Sequence, residues 1–112
     1  MNHILHTESN LYDDGILRVS ATSRPQSVAG AIAGIIREQG YVELHAIGAA
    51  AVNQALKSVA VARQLLNATD DPDIVVIPSF SNMHVKDIGQ RTVMCLDVYK
   101  RTAEQYCHRE NF

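Results

Sequence analysis

The hydrophobic period changes repeatedly along the chain, and each change marks an element. Leu17, Val19 and Ala21 alternate with Ile16, Arg18 and Ser20, which predicts a short strand over Ile16 to Ala21. The spacing then lengthens: Val28, Ile32, Ile35 and Ile36 form one stripe of a helix from Pro25 to Gln39. Pro25 suits the first helical position, where a missing N–H costs nothing, and Gly40 suits the residue just past the end. Alternation returns in Val42, Leu44 and Ala46 against Tyr41, Glu43 and His45, a strand over Tyr41 to Ile47. After Gly48 the helical spacing resumes from Ala49 to Leu66, with Val52, Ala55, Leu56, Val59, Ala62 and Leu66 on the core face. Ile74-Val75-Val76-Ile77 reads as an interior strand covered on both sides, within Asp73 to Phe80, and Pro78 is expected to end its pairing. Ser81 to Gln90 reads as a polar, protruding hairpin connection. Arg91 to Tyr99 reads as the last strand, with Met94, Leu96 and Val98 inward and Val93, Cys95 and Asp97 outward.

This order, β-α-β-α-β-β, predicts an α/β two-layer sandwich: a mixed four-stranded sheet with two helices on one face, joined by right-handed crossovers. Residues 16–99 form the domain. Residues 1–15 read as a flexible extension, either a mobile tail or an arm that docks on a partner, and residues 100–112 as a second extension with a short helix over Lys100 to His108. Gly30, Ala33 and Gly34 make a smooth stripe on the first helix, expected where the second helix or a neighbouring subunit comes close. Val61 and Leu65 lie off the core face of the second helix and suit a subunit interface. A dimer contact or the N-terminal arm is expected to cover part of the other sheet face.

Composition narrows the class. The chain has 112 residues, 46% of them apolar, enough for one core without staples. No apolar run approaches the ~18 residues of a membrane span, and the first residues lack the order of a secretory signal. Cys95 and Cys107 are too few for a disulfide framework and sit in no metal-ligand spacing, which points to a reducing cytoplasm and to no cofactor or metal. The net charge is −2, yet Gly15 to Val98 carries seven cations and seven acids, so phosphate binding needs a local cluster rather than a global field.

Catalytic motifs are missing: there is no paired-carboxylate motif, nucleophile elbow or phosphate loop, and the histidines are scattered. His3 and His6 read as solvated side chains, and His45 as a polar residue of a half-exposed strand that also has the chemistry of a ligand or proton donor. The turn at Gly48 is more informative. A small glycine and the alanines after it leave the first N–H groups of the second helix uncovered, and such groups favour an anion. Asn53, Lys57 and Gln64 recur along that helix as a polar ridge. Arg24 precedes the first helix, and Lys86 and Arg91 flank the hairpin. Gathered on one surface, these cations suit phosphates; read separately, each is a solvated surface charge.

Ser27-Val28-Ala29-Gly30-Ala31-Ile32-Ala33-Gly34, Glu43-Leu44-His45-Ala46-Ile47-Gly48-Ala49, Asn53-Gln54-Ala55-Leu56-Lys57, Val61-Ala62-Arg63, Ile77-Pro78-Ser79-Phe80 and Arg91-Thr92 resemble the stage V sporulation protein S family. The resemblance covers about Ile16 to Val98. It implies an Alba-like fold, shared with chromatin proteins that bind DNA and RNA as dimers, and a bacterial role in sporulation and cell-division control. It also implies that Arg24-Pro25, the turn and helix opening from Gly48 and Ala49 through Asn53 to Lys57, and the hairpin with Lys86 and Arg91 contact nucleic acid. The same resemblance implies a homodimer or higher homo-oligomer that packs through the second helix and last strands, where Val61 and Leu65 fall. Ala50 stands where the family usually has a second glycine, and Cys95 where it often has lysine.

The expectation is therefore a non-enzymatic, cytoplasmic and nucleoid-associated regulator that binds DNA or RNA through a local basic patch, with no catalytic residue, metal or membrane partner. The rival expectation is an oligomerisation module in sporulation or cell-division control that does not touch nucleic acid.

Overall fold

The computed structural model describes residues 12–13 and 15–102. In chain order these form β1 (Tyr12–Asp13), β2 (Ile16–Val19), α1 (Pro25–Gln39), β3 (Tyr41–Ala46), α2 (Ala49–Ala68), β4 (Ile74–Val85) and β5 (Gly89–Lys100). The sheet order is β1-β2-β3-β5-β4, with β2 and β3 parallel and the other neighbours antiparallel. This is the predicted two-layer α/β architecture, its four main strands extended at one edge by the two-residue β1. Two residues of the predicted N-terminal arm are thus a sheet edge; the rest of that arm, and most of the predicted C-terminal helix, lie outside the described residues. Lys100 itself ends β5.

The helices form where the sequence has them. α1 starts on Pro25 and ends at Gly40, whose φ of 78° lets its N–H turn back to Ile36 O at 2.8 Å. Its buried residues include the whole expected stripe: Val28, Ile32, Ile35 and Ile36. α2 buries Ala51, Ala55, Ser58, Val59, Ala62 and Leu66, a face of mostly small side chains that brings it close to α1 and the sheet. Leu56 was expected on that face but is 49% exposed, because the small-residue stripe and not the bulkiest side chain sets the contact. Ser58 is buried at no cost in unmade bonds, since Oγ–H donates to Gln54 O at 2.7 Å.

β2 and β3 alternate buried and half-buried residues as their sequences require. Leu17, Val42, Leu44, Leu96 and Val98 meet the helices in one core, and Met94 packs against it. Val93 and Cys95, on the other face by alternation, are nevertheless buried.

Two expectations about β4 fail together. It is an edge strand, not an interior one, and it runs through Pro78 in unbroken register to Val85. An edge strand has an unladdered side, so a residue without an N–H is tolerated there. Its apolar run is accordingly only partly covered, with Ile77 54% exposed. Ser81 to Gln90 is mostly paired strand; the connection shrinks to Lys86-Asp87-Ile88, with Asp87 at φ 69°. The glycine stripe also reads differently. Gly30 and Gly34 are exposed, and a Cβ on either would meet nothing within 4 Å, so no close approach by α2 requires them. Val61 is half-buried against the core, while Leu65 is 40% exposed.

Candidate nucleic-acid interface

Parallel pairing of β2 and β3 brings both of their C-terminal ends, Val19 and Ala46, to one end of the sheet. Each strand hands over there to a helix N-terminus. Arg24 is the N-cap of α1, exposed and extended (φ −89°, ψ 121°), and Gly48 is the N-cap of α2. Gly48 adopts φ 88° and ψ 158°, backbone space open essentially to glycine alone. Neither helix has a side-chain cap or an acidic residue in its first turn. Uncapped N–H groups and the positive ends of two helix dipoles therefore face the same way.

Side chains fix these two mouths to each other. Gln54 Nε2–H donates to Ser23 O at 2.8 Å, tying α2 to the β2–α1 loop. That loop is itself closed by Ser23 N–H to Ser20 O at 3.1 Å and by Ser20 N–H to Ser23 Oγ at 2.9 Å. Gly48, Ala49 and Asn53 are exposed at the opening of α2. Lys57 is exposed on the same helix, about 12 Å further along its axis at 1.5 Å per residue.

The β4–β5 pair supplies the third part. β3 pairs with β5 only as far as Ala46 opposite Met94, so Ser81–Val85 and Gly89–Val93 continue past it as a two-stranded ribbon. At about 3.4 Å per residue the ribbon reaches roughly 17 Å beyond the crossover end. Lys86 lies at its tip and Arg91 on its shaft, both exposed. Alternation puts Arg91 on the face away from the helices, so it approaches this end from the other side than Lys57 does. Between ribbon and sheet lies a cleft of about 260 Å³, lined among others by Arg18, Val19, His45, Ile47, Met83 and Val93.

The neutral charge of the body conceals a segregation. At the opposite end of the sheet the acids hold the cations. Arg63 grips Asp73 with both guanidinium arms at 2.8 Å, Arg101 adds a contact at 3.4 Å, and Arg37 Nε–H donates to Asp71 at 3.0 Å. Those bonds hold both carboxyls below the usual range, chiefly the Arg63 bond for Asp73 and the Thr69 and Arg37 bonds for Asp71. By contrast, Arg24, Lys57, Lys86 and Arg91 make no ion pair with a carboxylate among the described residues. Asp87 follows Lys86 at the ribbon tip.

A sequence model of the stage V sporulation protein S family matches residues 15–101, the whole sheet-and-helix body just described apart from β1. The chain belongs to the stage V sporulation protein S family. That membership ties it to sporulation, and the family is of the regulator type. In this family member the residues expected to contact nucleic acid fall into three structural groups: the two crossover mouths, joined by Gln54; Lys57, two turns down α2; and the ribbon with Lys86 and Arg91. The sequence reading missed Gln54 and Ser23 as the link between mouths; the protruding hairpin it expected over Ser81 to Gln90 is present, with more of it paired as strand than expected. Only the polar Gln54 beside the core residue Ala55 could have signalled that link. No helix among the described residues is long and apolar enough to cross a membrane.

Proposed function

We propose that the protein is a non-enzymatic, cytoplasmic regulator of sporulation that binds DNA or RNA at the crossover end of its sheet, as a dimer. The supporting observation is the segregation of charge: four exposed cations lack carboxylate partners among the described residues, with Arg24 at the mouth of one uncapped helix, Lys57 two turns down the other, and Lys86 and Arg91 on the ribbon that runs past the same end. Phosphates would meet Arg24 and the N–H groups after Gly48 first, with Lys57, Lys86 and Arg91 extending the track. Such contacts position a nucleic acid without reading its sequence. Dimerisation is supported by apolar side chains left uncovered on the helix side: Leu56, Leu65 and, on β4, Phe80 at 74% exposure. A gel-shift titration at two salt concentrations tests the binding. Arg24→Ala and Lys57→Ala each weaken it, and the weakening fades at high salt. Equal weak binding by both variants and the parent refutes it.

The same uncovered apolar residues favour a second reading, in which the protein is an oligomerisation module whose partner is another protein. It predicts a multimer whose assembly survives high salt and whose cations are dispensable.

A further inference from the structure

The sheet face away from the helices carries a different chemistry. β3 places Glu43 and His45 on one face, and β5 sets Cys95 directly opposite His45 and Asp97 directly opposite Glu43. A ring nitrogen of His45, Sγ of Cys95 and a carboxylate oxygen of Glu43 lie within 4.8 Å of one another. The two nitrogens of His45 differ in their surroundings. Nε2 hydrogen-bonds Glu43 Oε2, while Nδ1 is buried with no hydrogen-bond partner among the described residues. Cys95 is 7% exposed, and its thiol pKa is raised by burial first and then by the charges of Glu43 and Asp97. Tyr41 underlies the cluster: its hydroxyl lies 3.2 Å from both Glu43 Oε1 and Asp97 Oδ1, and its ring rests on Tyr99 with centroids 4.7 Å apart.

We propose that Glu43, His45 and Cys95 form a site for one divalent transition-metal ion, with zinc the ion whose preferences they match. Imidazole nitrogen, thiolate sulfur and carboxylate oxygen are zinc's own donor set, and a borderline-soft ion is favoured over magnesium or calcium by the sulfur. Zinc bonds of about 2.0–2.3 Å imply ligand atoms roughly 3.3–3.6 Å apart in a tetrahedron. Small rotamer shifts bring the three atoms from their present spread to that distance. Water takes the fourth position. The Tyr41 hydroxyl, set between the Glu43 and Asp97 carboxylates, holds Glu43 from behind, as outer hydrogen-bonding groups do in metal sites.

The dication relieves the excess of negative charge at the cluster. Arg18 of β2 is the register neighbour of His45, and Ser79 and Ile77 of β4 stand beside Cys95 and Asp97. Binding transfers the Cys95 proton to solvent. One thiolate and two carboxylates then face the dication, a net charge of −1 where the protonated thiol and the two carboxylates alone give −2. The site does not depend on nucleic-acid binding.

Cobalt(II) chloride titration of the full-length Cys107→Ser protein tests the assignment, since it leaves Cys95 as the one thiol. Expected are one equivalent of cobalt with a thiolate-to-cobalt charge-transfer band, its displacement by zinc, and affinity that rises about tenfold per pH unit while the thiol is protonated. Cys95→Ser abolishes the band, and His45→Gln weakens binding at least about tenfold, each variant being checked for its fold by circular dichroism. Absence of the band in the Cys107→Ser protein overturns the proposal whatever the other variants do. Full-strength binding in a folded His45→Gln protein overturns it equally.

Discussion

Replacing Asp73 by alanine tests how the closed end of the sheet is held. Its carboxylate accepts two bonds from Arg63 at 2.8 Å, one from the Ile74 N–H at 2.8 Å and one from Arg101 at 3.4 Å. Asp73 is 7% exposed, whereas the Arg63 side chain is 46% exposed. Water therefore recovers most of what Arg63 loses, and its share is about 1 kcal/mol. The Ile74 N–H is left buried without a partner, at about 1–3 kcal/mol. Arg101, 13% exposed, keeps its charge with a carboxylate fewer. The sum is about 3 kcal/mol, equivalent to roughly 10–20 °C in Tm for a domain of this size. Thermal unfolding followed by circular dichroism, at one fixed protein concentration, measures it.

The pH dependence carries its own sign. The Asp73 carboxyl titrates below its ordinary value of 3.8 when folded, so its stabilising share is complete above that value and is lost as pH falls through the lower, folded pKa. The gap in stability between wild type and Asp73→Ala is expected to be constant from pH 5 to pH 8 and to shrink below about pH 4. A gap under about 1 kcal/mol at pH 7, or one that widens in acid, refutes the reasoning.

Other expectations concern the crossover end and the uncovered apolar face. Gly48→Ala forces a side chain into backbone space reserved for glycine and destabilises by about 1–3 kcal/mol, read by urea unfolding; since an added Cβ meets nothing within 4 Å, the cost is purely conformational. Gln54→Ala removes the bond between the two mouths and lowers stability by about 1 kcal/mol, with faster amide exchange at Arg24 and Ser23 as the local signature. Phe80→Ser, at a position 74% exposed in the protomer, shifts the proposed dimer toward monomer in light scattering while leaving the protomer's circular dichroism unchanged.

The elements of the helix-crossing half were legible because local rules and tertiary contacts agree there. Alternation in Leu17 and Val19 and in Val42, Leu44 and Ala46, the proline start of α1 and the glycine stop at Gly40 all meant what they usually mean. The β4 half was less legible. An apolar run such as Ile74 to Ile77 has no period that separates an interior strand from an edge strand, and Pro78 is a breaker only where both sides of a strand are paired. Leu56 was misplaced because periodicity weighs hydrophobicity, whereas α2 turns its smallest residues inward.

The candidate sites divide in the same way. Arg24, Gly48 and Lys57 were singled out from residue type and neighbours, but the common end of Arg24 and Gly48 follows from β2 and β3 running parallel, and Lys57 lies two turns further down α2. The pairing of charge at the far end, which leaves these cations without carboxylate partners among the described residues, depends on contacts such as Arg37 to Asp71 across 34 positions. His45 and Cys95 are fifty positions apart in sequence and become opposite neighbours through the β3–β5 register, so no ligand spacing announces them.

The most direct test of the account is the slope of log affinity against log salt for a duplex DNA followed by fluorescence anisotropy. Four phosphate contacts, from Arg24, Lys57, Lys86 and Arg91, give a slope of about −3.6 per bound protomer. Neutralising all four brings the slope near zero, and Lys100→Ala, exposed at the opposite end, leaves it unchanged. A slope that survives the fourfold variant, or falls equally with Lys100→Ala, contradicts a nucleic-acid interface at the crossover end.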